Sequence, residues 1–295
     1  MTLSASATSE NTSYGYQRLF AYAQLIFVAK LVLQLMGALA RHRGMSLSIL
    51  ANGQTFAADL GKLQNEINRR IALLDVASTH LQAEHNINFE RIEQAWRTIE
   101  QGWQQDTVRE NFEFHSHFIE LLQSVIVRVT EPLDSFVASD TNPLPQLLLT
   151  FCGRTMPELI ELIARIRGLA TYLLLSGNED EQARLRLGHF VKELKKHQYA
   201  YQQAIVRLNS LPAHKMPALS MVKAYELKLS FVLETVENTI LGTGQSTLNG
   251  PQLFQISTEI IGVYQQVTLD GLDVLQHTIE ANIDKSLQNG RFLSD

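Results

Sequence analysis

The chain has a single cysteine, Cys152, among its 295 residues. One thiol cannot form an internal disulfide framework or a thiolate metal site, so we expect a reducing compartment, the cytoplasm. The net charge is −5 and basic residues form no block, which argues against a nucleic-acid partner. Only 7 prolines and 16 glycines occur, mostly between apolar runs, and no long stretch alternates with a period of two. These absences argue against a β-sheet and predict an all-α protein.

Apolar residues are plentiful, at 45% of the sequence against 19% charged residues, which is enough for a sizeable core and a subunit interface. The longest apolar run, Leu19 to Ala40, has the length of a membrane span. However, Gln24, Lys30 and Gln34 interrupt it, and a lysine in mid-membrane is costly. We therefore expect a buried helix of a bundle and no membrane span. The mostly polar residues before the run lack the charge cluster of a cleavable signal peptide.

Helical periodicity predicts eight helices in two sets of four, preceded by a disordered Ser/Thr/Ala-rich stretch, residues 1–13. The predicted helices span residues 14–51, 54–82, 87–104, 107–137, 144–175, 179–210, 217–241 and 252–289. The polar stretch 138–145 separates a first half, 14–138, from a second half, 139–295. Short connections favour antiparallel neighbours, so we expect two tandem antiparallel four-helix bundles that pack together as one domain. One elongated bundle with exchanged helices is the alternative.

Local signals mark two helix boundaries. Asn52-Gly53 is suited to a left-handed cap at the end of the first helix. In the fifth helix, the stretch from Gly153 to Pro157 predicts a bend or interruption, and Thr155 with Glu158 three residues later matches a capping box.

A repeated motif connects the two halves. Residues 35–53 align without a gap with residues 159–177, and seven of the nineteen pairs are identical. The identical pairs are Leu35/Leu159, Ala40/Ala164, Arg41/Arg165, Arg43/Arg167, Gly44/Gly168, Leu50/Leu174 and Gly53/Gly177. Each copy is a mostly apolar helical run that carries two arginines followed by a glycine. The chain is therefore interpreted as a pseudo-duplication.

Helical geometry separates the two arginines of each motif, because residues two apart point in nearly opposite directions. Arg41 and Arg165 lie on polar rows and are predicted to be surface charges, with Glu161 placed to pair with Arg165. Arg43 and Arg167 lie on apolar rows without a carboxylate three or four residues away. A buried guanidinium cannot lose its proton, so each needs an anion or several acceptors from elsewhere.

Two sources of that partner remain open. One is a carboxylate on a facing helix. The other is a bound anion shared by Arg43 and Arg167, with Ser46 and Thr171 as supporting hydroxyls and glycines that permit close approach of the two helices. Lys228 lies among apolar residues of the seventh predicted helix and is either a further cation of the site or a side chain that extends to solvent.

The two Arg-x-Arg-Gly stretches, together with Ser46-Leu-Ser-Ile-Leu50 and Asn142-Pro-Leu-Pro145, resemble the nitrate- and nitrite-sensing NIT domain over roughly residues 18–290. The resemblance implies an all-helical sensor of two four-helix bundles that binds nitrate or nitrite through arginines, which by motif are Arg43 and Arg167. NIT regulators usually carry an output domain or lie in a membrane receptor. Since six residues follow the eighth predicted helix, we expect the signal to pass to a regulatory protein or to a homodimer partner.

Other function classes find less support. A helical protein-interaction module without a small-molecule ligand is the main alternative, and a carboxylate bonded to Arg43 would favour it. An enzyme is not expected, because no catalytic, phosphate-binding or metal-ligand motif can be identified, so no catalytic residue, metal or cofactor is assigned. His115 and His117 face different ways, and His42 is interpreted as a packed histidine. Cys152 has no neighbouring histidine or basic cluster in the sequence that would activate its thiol.

Overall fold

The computed structural model describes residues 3–51, 54–81, 87–138, 142–177, 179–212, 214–242, 244 and 248–288. Within these ranges nearly every residue is helical and no strand occurs, which confirms the all-α prediction. The α-helices are α1 (Leu3–Leu50), α2 (Ala57–Ser78), α3 (Phe89–Gly102), α4 (Val108–Ala138), α5 (Leu144–Thr150), α6 (Met156–Leu175), α7 (Glu181–Leu208), α8 (Val222–Thr235) and α9 (Gly250–Gln288). Short 3-10 turns, Gln54–Phe56 and Pro217–Met221, precede α2 and α8. The predicted cap at Asn52 and Gly53 lies outside the described residues.

The first helix is central to the fold. α1 contacts α2, α4, α6 and α9, and most of its side chains between Tyr22 and Leu47 are buried. Lys30, the charged residue in this apolar run, forms an ion pair with Asp273 of α9. The segment Phe20–Leu50 is long and apolar enough to cross a membrane, and 61% of its most apolar window is buried inside the protein.

α1 begins earlier than the sequence predicts. Residues 3–13 form its first turns, whereas the predicted helix begins at residue 14. Extending a helix fixes one residue for each added hydrogen bond, whereas starting one costs several residues' freedom. A polar segment rich in Ser, Thr and Ala therefore continues a helix whose apolar remainder is already packed.

The two halves meet along their first helices. α1 and α6 contact each other, and α9 contacts both. α6 also contacts α7, and α8 lies against α9. The buried apolar side chains form one continuous cluster drawn from both halves. The grouping into two antiparallel four-helix bundles stays a prediction.

The fifth predicted helix is interrupted where its sequence indicates. A π-helical turn, Phe151–Thr155, joins α5 to α6, and the Met156 N–H donates to the Phe151 carbonyl. Pro157, in the first turn of α6, has no N–H to donate, so the wider turn loses no hydrogen bond there. The predicted capping box is wrong: Thr155 has helical dihedral angles and makes no side-chain cap bond. The reason is that the π turn continues into α6 and leaves no free helix end to cap.

Candidate functional site

Two glycines set the distance between α1 and α6. A Cβ atom on Gly168 would lie 3.9 Å from the Gly44 Cα atom and 3.4 Å from Leu47 Cδ1. A Cβ atom on Gly44 would lie 3.5 Å from Arg167 Nε and only 2.7 Å from Phe254 Cε2. The expectation that the motif glycines permit close approach of the helices is confirmed, and the crossing brings Arg167 next to the first motif.

Both terminal nitrogens of the Arg43 guanidinium have hydrogen-bond partners within the protein. Its side chain is 0% exposed. Nη1 and Nη2 donate to the two carboxylate oxygens of Glu161 at 2.6 and 3.0 Å, and Nη1 also donates to Ser116 Oγ at 3.0 Å. The guanidinium carbon lies 5.2 Å from the centre of the Phe112 ring. The sequence left open whether the partner of Arg43 is a carboxylate on a facing helix or a bound anion. In the structure it is a carboxylate, that of Glu161 on α6.

Glu161 lies deeper than its helical row indicates. It is 5% exposed, and its Oε1 also accepts a hydrogen bond from Arg165 Nε at 2.7 Å, which confirms the predicted Arg165 pair. Arg165 in turn donates to Glu120 at 2.9 Å, and its side chain is only 18% exposed. The prediction that Arg165 is a solvated charge is therefore corrected, since its buried carboxylate partner draws it inward. Arg41 is more exposed, at 40%, and pairs with Glu66 at 2.7 Å.

Arg167 is buried without a carboxylate partner among the described residues. It is 1% exposed. Nη2 donates to the Ala40 carbonyl across the helix crossing at 2.6 Å, and Nη1 donates to Thr258 Oγ1 at 3.0 Å. Burial, followed by the nearby charges of Arg43 and Arg41, lowers its pKa to about 9, against the smaller opposite effect of the Glu161 carboxylate. The group stays charged at neutral pH, but its charge is not compensated by a bonded anion.

The surroundings of the two buried arginines match each other. Arg43 lies against Phe112 and bonds Ser116, both of α4, whereas Arg167 lies 4.7 Å from the Phe254 ring centre and bonds Thr258, both of α9. In each pair the hydroxyl residue follows the phenylalanine by four positions. Each hydroxyl also donates to the carbonyl of its phenylalanine at 2.7 Å. Equivalent helices of the two halves thus supply equivalent contacts.

The two environments differ in one respect. Within the repeat, Glu161 aligns with Gly37, so the first-half position equivalent to Glu161 carries no carboxylate for Arg167. A Cβ atom on Gly37 would lie 1.9 Å from the end of the Gln265 side chain, which occupies the space above the glycine. Arg167 bonds instead to a backbone carbonyl, which carries only a partial charge.

Several buried polar atoms at this crossing have no hydrogen-bond partner in the described part of the chain. They are Nε of Arg43, Nε of Arg167 and Oγ1 of Thr171, which lies one turn beyond Arg167 on α6. Buried donors without partners are costly and uncommon.

The other two predicted supporting residues, Ser46 and Lys228, have protein partners. Ser46 Oγ lies 2.8 Å from Asn111 Oδ1 and 3.0 Å from the Arg43 carbonyl. Lys228 lies elsewhere, in an exposed ion pair with Glu259.

A chain of buried polar side chains runs beside the first motif. His115 Nδ1 lies 2.7 Å from the Asn111 carbonyl, His42 Nδ1 lies 2.7 Å from His115 Nε2, and Gln64 Nε2 lies 3.3 Å from His42 Nε2. Because a carbonyl only accepts, His115 donates from Nδ1, His42 donates to His115, and Gln64 donates to His42. Burial lowers the pKa of His42 to about 3 and also lowers that of His115. His42 is therefore a packed neutral histidine, as the sequence indicates.

Comparison of the chain with protein-family models, with curated proteins and with solved structures finds no match. The resemblance to the NIT domain therefore depends on the residues of the two motifs alone.

Proposed function

We propose that the protein is a sensor of a small planar anion, nitrate or nitrite, which binds where α1 crosses α6. The observation that carries the proposal is the buried Arg167 guanidinium, which lacks a bonded carboxylate in the described structure although its counterpart Arg43 has one. A desolvated cation without a counter-ion is strongly unfavourable. An external anion is the simplest source of the missing charge.

The open donors at the crossing suit this class of ligand. Nitrate is planar, with one charge spread over three equivalent oxygens, and guanidinium N–H groups bind such oxygens well. Each arginine keeps one unpaired Nε–H, and Thr171 adds a hydroxyl on the same face of α6. Arg43 and Arg167 are the proposed ligands, with Thr171 in support.

Glu161 gives the proposed site a switch. Its carboxylate is an internal anion bonded to Arg43, and it also reaches Arg165 beside an open cleft lined by Glu120, His189 and His197. Nitrate that neutralises the arginines would compete with this carboxylate and favour its movement toward Arg165. The resulting shift between two helix arrangements is limited by the difference in ligand affinity between them, typically a coupling of about 1–3 kcal/mol. We propose that a regulatory protein or a second copy of the chain in the cytoplasm reads this change.

Thermal unfolding in sodium nitrate, nitrite and chloride tests the proposal. A ligand at about 100 times its Kd stabilises the folded state by about 2.7 kcal/mol. We expect nitrate or nitrite to raise the melting temperature more than chloride, and Arg167→Met to abolish that increase while preserving an apolar fit. Arg41→Met, at the more exposed arginine of the motif, is the matched control and should respond like the native protein. An equal response of all three salts, or an unchanged response of Arg167→Met, rejects the proposal.

A helical interaction module without a small-molecule ligand is the second candidate. The Arg43–Glu161 pair favours it, because one of the two buried arginines already has a protein counter-ion. Under this candidate no anion changes the stability of the native protein beyond the effect of ionic strength. The same salt series therefore distinguishes the two functions.

A further inference from the structure

A separate cavity of about 250 Å³ opens between α7, α8 and α9, with Leu159 of α6 also in its lining. Its floor includes Tyr201 and Tyr264, which are 2% and 0% exposed, together with the buried apolar side chains of Leu159 and Leu229. Charged residues of α8, Lys223 and Glu226, lie nearer the solvent. The cavity thus combines a buried floor with a charged entrance, as many small-molecule sites do.

The two tyrosine hydroxyls are the unusual feature of this floor. Their rings lie 5.5 Å apart, yet neither hydroxyl has a hydrogen-bond partner of standard geometry within the described ranges. Burial raises the pKa of Tyr264 to about 12, and burial with the nearby Tyr264 and Glu226 raises the pKa of Tyr201. Both phenols are therefore neutral donors at neutral pH. Buried tyrosine hydroxyls usually find an acceptor. The Glu226 carboxylate lies near Tyr201 but makes no bond of standard geometry to it, so both hydroxyls can still donate to a ligand in the cavity.

The charges at the entrance restrict the kind of acceptor. Lys223 and Glu226 are three residues apart on α8, so their side chains lie on the same side of the helix. Together they carry no net charge. A simple carboxylate would be repelled by Glu226, and a simple amine would be repelled by Lys223. A molecule that carries both charges would find a partner for each.

We propose that this cavity binds a free α-amino acid with an apolar side chain. The ligand carboxylate accepts hydrogen bonds from Tyr201 and Tyr264 and lies near Lys223. The ligand ammonium pairs with Glu226, and the side chain packs on Leu159 and Leu229. The inference does not depend on the proposed anion site, because the two sites share no residue.

Calorimetric titration of the full chain with L-leucine and L-phenylalanine tests the proposal, and two compounds that each lack one charge serve as comparisons. They are 4-methylpentanoate, which has no ammonium, and isoamylamine, which has no carboxylate. We expect at least one of the two amino acids to bind, and leucine to bind better than either single-charge compound. Failure of both amino acids to bind overturns the proposal, as does binding of 4-methylpentanoate as tight as that of leucine.

Three variants locate the binding. Tyr201→Phe and Tyr264→Phe keep the rings and remove one hydroxyl each, so each should weaken binding about tenfold. Glu226→Gln should remove the preference for leucine over 4-methylpentanoate. Tyr199→Phe, at an exposed position of the same helix, is the control and should bind like the native protein. Unchanged affinity in both buried tyrosine variants and in Glu226→Gln would place any binding elsewhere and overturn the proposal.

Discussion

Arg43 of α1 and Glu161 of α6 form a two-bond ion pair, at 2.6 and 3.0 Å, inside the protein. The pair joins the two halves beside the glycine crossing. Its mirror counterpart in the repeat would be Gly37 with Arg167, and there the carboxylate is missing. Two arginines with matching aromatic and hydroxyl contacts therefore differ in their counter-ion.

Removing the internal carboxylate should destabilise the protein strongly. Glu161→Gln leaves Arg43 as a buried cation without a bonded anion, and breaking a buried pair in this way costs about 3–5 kcal/mol. Urea unfolding at constant ionic strength measures the loss. If nitrate takes the place of the carboxylate, it should recover more free energy of unfolding in this variant than in the native protein.

Glu66→Gln is the control for that experiment, because Glu66 pairs with Arg41 and Arg70 at part-exposed positions. Such pairs are worth about 0–1 kcal/mol, so we expect a small loss and no added response to nitrate. A Glu161→Gln variant as stable as Glu66→Gln would show that the Arg43 pair is not an important support of the crossing.

The close helix approach predicts a strong effect of one methyl group. Gly44→Ala would place a Cβ atom 2.7 Å from the Phe254 ring, which also lies under Arg167. Inserting extra volume into a packed interior costs about 1–3 kcal/mol. Gly61→Ala is the matched control, because nothing lies within 4 Å of its added Cβ atom and alanine favours a helix over glycine by about 0.5–1 kcal/mol. Urea unfolding should show opposite signs for the two variants.

The buried histidine pair predicts a pH dependence of stability. His42 and His115 have pKa values below 6.5 in the folded protein, so only the unfolded chain takes up their protons as the pH falls through that value. Their contribution is present above pH 6.5 and is lost progressively toward pH 3. Two such groups give a slope of about 2 kcal/mol per pH unit just below the unfolded pKa. Urea unfolding between about pH 6.5 and pH 5 measures this slope, and a flat profile would contradict neutral burial of the pair.

Much of the fold follows from the sequence because its signals are local. Apolar periodicity indicates the helices, and the repeat correctly predicts burial of Arg43 and Arg167. The start of α1 lies earlier than the predicted residue 14. It depends on how far a docked helix propagates into a polar segment and not on the composition of that segment. The capping box predicted at Thr155 is absent, because a capping box needs a helix end and the π turn removes it.

The partners of the arginines depend on contacts between distant helices, which helical rows cannot supply. The row that contains Glu161 predicts a surface pair with Arg165, yet the crossing of α6 with α1 turns the same carboxylate toward Arg43. The matching contacts of Phe112 with Ser116 and of Phe254 with Thr258 also went unpredicted. A search for the same Phe-x-x-x-Ser/Thr spacing in the fourth and eighth predicted helices, which correspond to α4 and α9, would have found that signal.

A nitrate titration of two matched variants tests most directly whether Arg167 takes an external anion. Gly37→Glu with Gln265→Ala supplies the carboxylate that the repeat lacks, and Gln265→Ala makes room for it. Gly37→Gln with Gln265→Ala has the same shape without the charge. We predict that calorimetry detects nitrate binding to the glutamine variant and none to the glutamate variant. Equal binding by both variants, or binding by neither while the glutamine variant is folded, would contradict the claim that Arg167 takes an external anion because it lacks an internal one.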